Sequence, residues 1–176
     1  ADSITSGAGS DVIYGDGYDD LTSNLIDQGT SSAINRKSAY WWTAVASANE
    51  GADTISSGAG DDWINAGGGA NSIDAGTGND TISAGSGADT IIAGLGDDSV
   101  DAGDGANSID GGAGNDTITA GNGPNSIDGG VGNDTISAGS GADSIDGGDG
   151  DDRLIGGAGS DVILGGAGNN TIYGDD

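Results

Sequence analysis

From Ile55 onward a large aliphatic residue returns every nine positions, through Ile64, Ile73, Ile82, Ile91, Val100, Ile109, Ile118, Ile127, Ile136, Ile145, Leu154 and Ile163 to Ile172. Asp or Asn stands two residues before each of these fourteen. Gly stands four before each, and Gly stands six before everywhere except at Asn49. So strict a period makes the chain a stack of one small unit, because a nine-residue unit cannot bury its own apolar side chain and must cover it with neighbours. Ile4, Ile13 and Leu21 carry earlier copies, with a one-residue slip between the last two.

Each unit reads as a turn followed by a very short strand. Two Gly at alternate positions permit backbone angles closed to other residues, and Asp or Asn closes the turn through its own side chain. Triplets such as Thr117-Ile118-Thr119 alternate polar, apolar, polar, as a strand with one buried face does. Alternate copies match better than adjacent ones: "NSID" and "DSID" stand at 71–74, 107–110, 125–128 and 143–146, with "NDTI" copies between them. The repeat is therefore eighteen residues, two strands and two turns per coil. This predicts an all-β solenoid, a parallel β-roll with one sheet from each set of copies and a row of turns down each edge. The expected organisation is N-terminal repeats over 1–21, a non-repeat insertion over 22–50 and a continuous roll over 51–176.

The two ladders of aliphatics make a thin core for so Gly-rich a chain, and its composition suggests what else helps. The formal charge is −26, from 28 Asp and a single Glu against three basic residues. A disordered acidic tail would mix Glu with Lys, Ser and Pro, yet there is one Pro and one Lys. A field of this sign repels nucleic acid and anionic membranes and attracts cations. The absence of Cys and His removes disulfides, thiolate and imidazole metal ligands and the commonest general base. No apolar run approaches the ~20 residues of a membrane span.

Coils of a parallel roll lie ~4.7–4.9 Å apart, so carboxylates eighteen residues apart stack at about that spacing. Each adjacent pair then repels by about 1 kcal/mol in water and more in a partly buried turn. A hard cation between coils reverses the sign. Calcium accepts oxygen ligands at ~2.3–2.6 Å in flexible geometry, and Gly turns can aim main-chain carbonyls at it, whereas magnesium demands a stricter octahedron.

At these residues the chain resembles the RTX family of glycine- and aspartate-rich nonapeptide repeats. The family's pattern Gly-Gly-x-Gly-x-Asp-x-(aliphatic)-x stands in "GGAGNDTIT" (111–119) and "GGVGNDTIS" (129–137), and the resemblance covers everything except about 22–50. It implies a right-handed parallel β-roll with several calcium ions between successive turns on each edge. Their ligands would be the sixth-position Asp and turn carbonyls: Asp11, Asp19, Asp53, Asp62, Asp80, Asp89, Asp98, Asp116, Asp134, Asp143, Asp152 and Asp161, with Gly78, Gly96, Gly114, Gly132 and Gly150. It also implies Gram-negative type I secretion and folding on meeting external calcium.

The chain departs from the family pattern in two ways. Ala or Ser replaces the first Gly in several copies, which is mild. More consequentially, one edge carries Asp62, Asp80, Asp98, Asp116, Asp134 and Asp152 before Asn170, whereas the other reads Asp53, Asn71, Asp89, Asn107, Asn125, Asp143, Asp161. A filled row is expected on the first edge and weaker or missing ions at Asn71, Asn107, Asn125 and Asn170, the weakest between Asn107 and Asn125. The alternative is that Asn ligates through its amide oxygen and nothing changes.

Other features carry competing readings. Asp74, Asp110, Asp128 and Asp146 form an outer ladder that is either a solvated face or a further cation or mineral surface. A Thr and Ser array including Thr81, Thr117, Thr135 and Thr119 raises ice binding as a minor alternative, but Trp63, Arg153 and Ile155 interrupt it. The insertion holds Arg36, Lys37, Tyr40, Trp41 and Trp42, and is either a lobe folded over the roll or an interface, where such residues concentrate. Neither HExxH, GxSxG nor GxxxxGK occurs, which argues against the corresponding catalytic sites. Ala1 and Asp176 fall inside repeats, so the chain is expected to be a piece of a longer array or a unit that self-associates through open roll ends. The function expected is an extracellular calcium-binding structural module of a surface layer, matrix fibre or adhesin. The alternative is the repeat domain of a larger secreted enzyme or toxin, such as a protease, lipase, epimerase or hemolysin.

Overall fold

Strands at eighteen-residue intervals stack in register into two parallel sheets, as the double period requires. The computed structural model describes residues 3–5, 12–14 and 51–175, and among them there is no helix. One sheet runs, in order, β1 (Ser3–Thr5), β3 (Thr54–Ala59), β5 (Ser72–Thr77), β7 (Thr90–Leu95), β9 (Ser108–Ala113), β11 (Ser126–Asp128), β14 (Ser144–Asp146) and β16 (Val162–Leu164). The other runs β2 (Val12–Tyr14), β4 (Trp63–Asn65), β6 (Thr81–Ser83), β8 (Ser99–Asp101), β10 (Thr117–Thr119), β12 (Thr135–Ser137) and β15 (Arg153–Gly159). Two further strands, β13 (Ser140–Gly141) and β17 (Thr171–Asp175), pair with β15. Ile118 lies between Val100 and Ile136, and Ile127 between Ile109 and Ile145.

Ile4 pairs with Ile55 and Ile13 with Ile64, so the coil before the insertion sits directly on the coil after it. Asp11, Asp19, Leu21 and the 22–50 insertion, with Arg36, Lys37, Tyr40, Trp41 and Trp42, lie outside the described residues.

The turns are laddered as well as the strands, which the turn-plus-triplet reading did not anticipate. The Gly114 N–H donates to the Val131 carbonyl at 2.8 Å, and the Gly132 N–H donates to that of Asp149 at 2.8 Å. Glycine is required at such positions for two reasons. Gly132 has a φ of 139°, which L side chains rarely adopt, and a Cβ there would collide with the Gly114 carbonyl of the preceding coil.

The core holds the Ile, Val and Leu ladders between the sheets, together with Ala66, Ala75, Ala84, Ala93, Ala102, Ala120 and Ala138, all fully buried. These alanines are the first-position departures from the repeat. That position points inward, so the replacement adds core methyls.

The outer faces carry the columns that the sequence suggests. Asp110, Asp128 and Asp146 stand in register on the first sheet, with Ile92 and Leu164 beyond them. Burial, then the Asp110 and Asp146 charges, push the Asp128 carboxyl up. On the second sheet Asp101 separates Ser83 from Thr119, a further break in the hydroxyl array. The Arg153 guanidinium lies over the Tyr173 ring, 5.4 Å from its centroid, in a cation–π contact.

Candidate metal centre

The sixth residue of each unit ends a turn whose glycines have bent the chain back over itself, and its side chain points into the roll. Asp80, Asp89, Asp98, Asp116, Asp134, Asp143 and Asp152 are each no more than 3% exposed. One carboxylate oxygen ties the coil to its neighbour. The Asp98 N–H donates to Asp116 Oδ1 at 2.8 Å, the Asp116 N–H to Asp134 Oδ1 at 2.8 Å and the Asp134 N–H to Asp152 Oδ1 at 2.9 Å. The same bond recurs along the whole first edge, from the Asp62 N–H to Asp80 Oδ1 down to the Asp152 N–H to Asn170 Oδ1.

The second oxygen is different. Oδ2 of Asp80, Asp89, Asp98, Asp116, Asp134, Asp143, Asp152 and Asp161 is buried and accepts no hydrogen bond from the protein. A desolvated, unpartnered carboxylate oxygen is among the costliest features a fold can hold, and here it repeats coil after coil.

The surroundings of these oxygens fit a cation. A methyl built on Gly111 would lie 2.8 Å from Asp116 Oδ2 and 2.6 Å from the Gly129 carbonyl oxygen of the next coil. At Gly129 the corresponding distances are 2.6 Å to Asp134 Oδ2 and 2.7 Å to the Gly147 oxygen; at Gly147 they are 2.5 Å to Asp152 Oδ2 and 2.8 Å to the Gly165 oxygen. An oxygen from each of two coils therefore faces one small space, the kind of oxygen-lined gap between coils that a hard cation takes. Among the described residues no three carboxylates converge on a point; the oxygens that face this space are one carboxylate oxygen and a main-chain carbonyl of the next coil.

The electrostatics agree. Burial pushes the Asp116 carboxyl up to about 7 from 3.8, against the Asp98 N–H that holds it down, and the Asp98, Asp134 and Asp97 charges add to the rise. Asp80 is pushed up to about 6, again chiefly by burial. Asp89, Asp98, Asp134 and Asp143 move in the same direction for the same leading cause. Such shifts mark carboxylates that lack compensating positive charge.

The second edge mixes Asp and Asn. The Asp53 N–H donates to Asn71 Oδ1 at 3.0 Å, the Asn71 N–H to Asp89 Oδ1 at 2.7 Å and the Asn107 N–H to Asn125 Oδ1 at 3.1 Å. The tie between coils thus survives the change from Asp to Asn. What changes is the other atom, an amide nitrogen in place of Oδ2.

A second ladder escaped the sequence reading. At the exposed fifth position of the first edge, the Asn79 N–H donates to Asp61 Oδ1 at 2.8 Å, the Asp97 N–H to Asn79 Oδ1 at 2.9 Å and the Asn115 N–H to Asp97 Oδ1 at 2.7 Å. Asn133, Asp151 and Asn169 continue it. These bonds point back to the preceding coil, whereas the buried ladder points forward, so the two clamp each interface in opposite senses. The signal was present: every first-edge copy from 61 to 169 has Asp or Asn there, while the second edge has mainly Ala.

A comparison with protein families matches the RTX calcium-binding nonapeptide repeat, a unit of four copies, over residues 1–21, 47–82, 74–109, 83–118, 110–145, 119–154 and 146–176. No curated protein gives a match. The matched windows take in both sheets and every carboxylate cradle described above, and the chain belongs to the family of RTX calcium-binding nonapeptide-repeat proteins.

Proposed function

We propose that the chain is an extracellular structural module that folds on binding several calcium ions, in a surface layer, matrix fibre or adhesin. The observation that carries the reading is the series of buried Asp Oδ2 atoms without a protein donor, each beside a carbonyl of the neighbouring coil where the first residue is Gly. Asp80, Asp98, Asp116, Asp134 and Asp152 would hold ions along the first edge, and Asp89, Asp143 and Asp161 along the second. A bound ion supplies positive charge between coils, which offsets the desolvation of the carboxylates and the repulsion along each row. Asp53 and Asp62, with the outlying Asp11 and Asp19, are assigned the same role by position in the repeat. Gly78, Gly96, Gly114, Gly132 and Gly150 are assigned as carbonyl donors in the same way.

Residues 1–21 and 51–176 form one roll in this reading, and 22–50 an excursion from the second edge. A roll built of repeats fits a non-enzymatic module. Millimolar calcium outside cells supports secretion, with the type I route taken from the family resemblance. The reading includes self-association, supported by the aromatic and basic residues of the insertion, Arg36, Lys37, Tyr40, Trp41 and Trp42. Light scattering that reports a monomer at millimolar calcium would remove that part alone.

Equilibrium dialysis of radioactive calcium against wild type and Asp116→Asn tests the site assignment. The variant is expected to bind about one ion fewer, with the other sites retained. An unchanged count would remove Asp116 from the ligand set.

A further inference from the structure

The asparagines of the second edge do more than omit a charge. Asn71 Nδ2 donates to the Gly69 carbonyl of its own turn at 3.3 Å and to the Ala84 carbonyl of the next turn at 3.1 Å. Asn107 Nδ2 donates to the Gly103 carbonyl at 3.2 Å and the Ala120 carbonyl at 3.3 Å. Asn125 Nδ2 donates to the Gly123 carbonyl at 2.8 Å and the Ala138 carbonyl at 3.2 Å, and also to Asp143 Oδ1 at 3.1 Å.

Ala84, Ala120 and Ala138 lie thirteen residues beyond their asparagines, as Gly129 lies thirteen beyond Asp116. These are therefore the same class of carbonyl that faces the unpartnered Oδ2 on the first edge. The orientation of each amide is dictated from both sides, since Oδ1 accepts a main-chain N–H from the preceding coil and the nitrogen meets only acceptors.

We propose that Asn71, Asn107 and Asn125 are built-in replacements for the cation. The amide N–H groups bridge carbonyls of two successive turns, which is the task an ion performs beside Asp116, and they occupy the space it would need. The inward methyls of Ala66, Ala102 and Ala120 fill the same turns, but Ala75 and Ala93 stand equally beside Asp80 and Asp98, so the amide and not the methyl carries the replacement. The second edge thus mixes metal-dependent and metal-independent interfaces, and between the turns of Asn107 and Asn125 the clamp is made of protein alone. Asn there excludes the ion, because the amide oxygen is spent on the neighbouring main chain and does not act as a weaker ligand.

This inference rests on the calcium reading, and the test separates the two. Crystals of the whole chain grown in calcium and soaked with terbium are measured at a wavelength where terbium scatters anomalously. In parallel, calcium is counted by dialysis on wild type, Asn107→Asp and Asn125→Asp. Anomalous peaks are expected beside Asp116, Asp134 and Asp152, with none between the Asn107 and Asn125 turns, and each Asp variant is expected to gain about one calcium. A peak between those two turns in wild type, or an unchanged count in both folded variants, overturns the replacement while leaving the calcium reading intact. Wild type that binds no calcium and shows no peaks overturns both. Because the wild-type diffraction measurement needs no substitution, a variant that fails to fold leaves the decision to the map.

Discussion

Gly132→Ala is expected to disrupt the middle of the roll, at a cost of about 2–5 kcal/mol from a left-handed backbone angle forced on alanine and overpacking against the coil below. Gly132 sits at a φ of 139°, and its Cβ would run into the Gly114 carbonyl. Neither partner can yield, because that carbonyl belongs to a backbone locked into the turn ladder on both sides. The loss would appear as a lower urea midpoint in saturating calcium, or as loss of cooperative folding, since a solenoid transmits stability only between neighbours. Val131→Ser, one residue earlier at an exposed turn position, is the control and is expected to stay within about 0.5 kcal/mol of wild type. Equal effects from the two substitutions would mean that the close approach of successive turns does not stabilise the roll.

Acid is expected to do part of the work of calcium. In the metal-free chain the Asp116 carboxyl is raised to about 7 and Asp80 to about 6 from 3.8, mainly by burial. A raised carboxyl binds more protons folded than unfolded between its two values. Its contribution is thus fully present below 3.8 and is lost as pH rises through about 6 for Asp80 and about 7 for Asp116. Circular dichroism in EGTA should therefore show more β structure at pH 5 than at pH 7.5. In calcium the order reverses for binding, because protons compete for the same oxygens and the apparent affinity per site falls as pH drops. Asp116→Asn, which removes one of these protons from the balance, should flatten the EGTA profile near neutrality. A metal-free chain that is less folded at pH 5 than at pH 7.5 would contradict the burial of these carboxylates.

Much of this was legible in the chain because a solenoid turns spacing into position. Ile118 and Ile136, eighteen apart, had to share a ladder, while Ile127, nine away, had to lie in the opposite sheet. Comparison of Asp116 with Asp98 and Asp134, and of Asn125 with Asn107, followed from the same arithmetic. The directions of the side chains did not. Whether an Asp at the sixth position tied forward or back, and which of its oxygens remained free, depends on where a neighbouring coil places its N–H. That placement is a property of the stack and not of the unit. For the same reason the weaker or missing ions expected at Asn107 and Asn125 came with no view of where the amide nitrogen points, which is toward the Ala120 and Ala138 carbonyls. The Asx row from Asp61 to Asn169 is readable as a bias to Asp and Asn at the fifth position of one edge, but its hydrogen bonds to the preceding coil depend on the stack. The register of the excursion, which returns Ile55 to Ile4, could not be read from a segment that carries no repeat.

We propose that calcium between coils, together with the asparagine clamps, holds this roll together at neutral pH. The direct measurement is a calcium titration of chelator-treated protein at pH 7.5, followed by far-ultraviolet circular dichroism. The expected result is a largely unfolded spectrum in EGTA and a cooperative gain of β signal as calcium rises toward millimolar, with magnesium ineffective at the same concentration. A chain with its full β signal in EGTA at that pH, unchanged when calcium is added, would contradict the account.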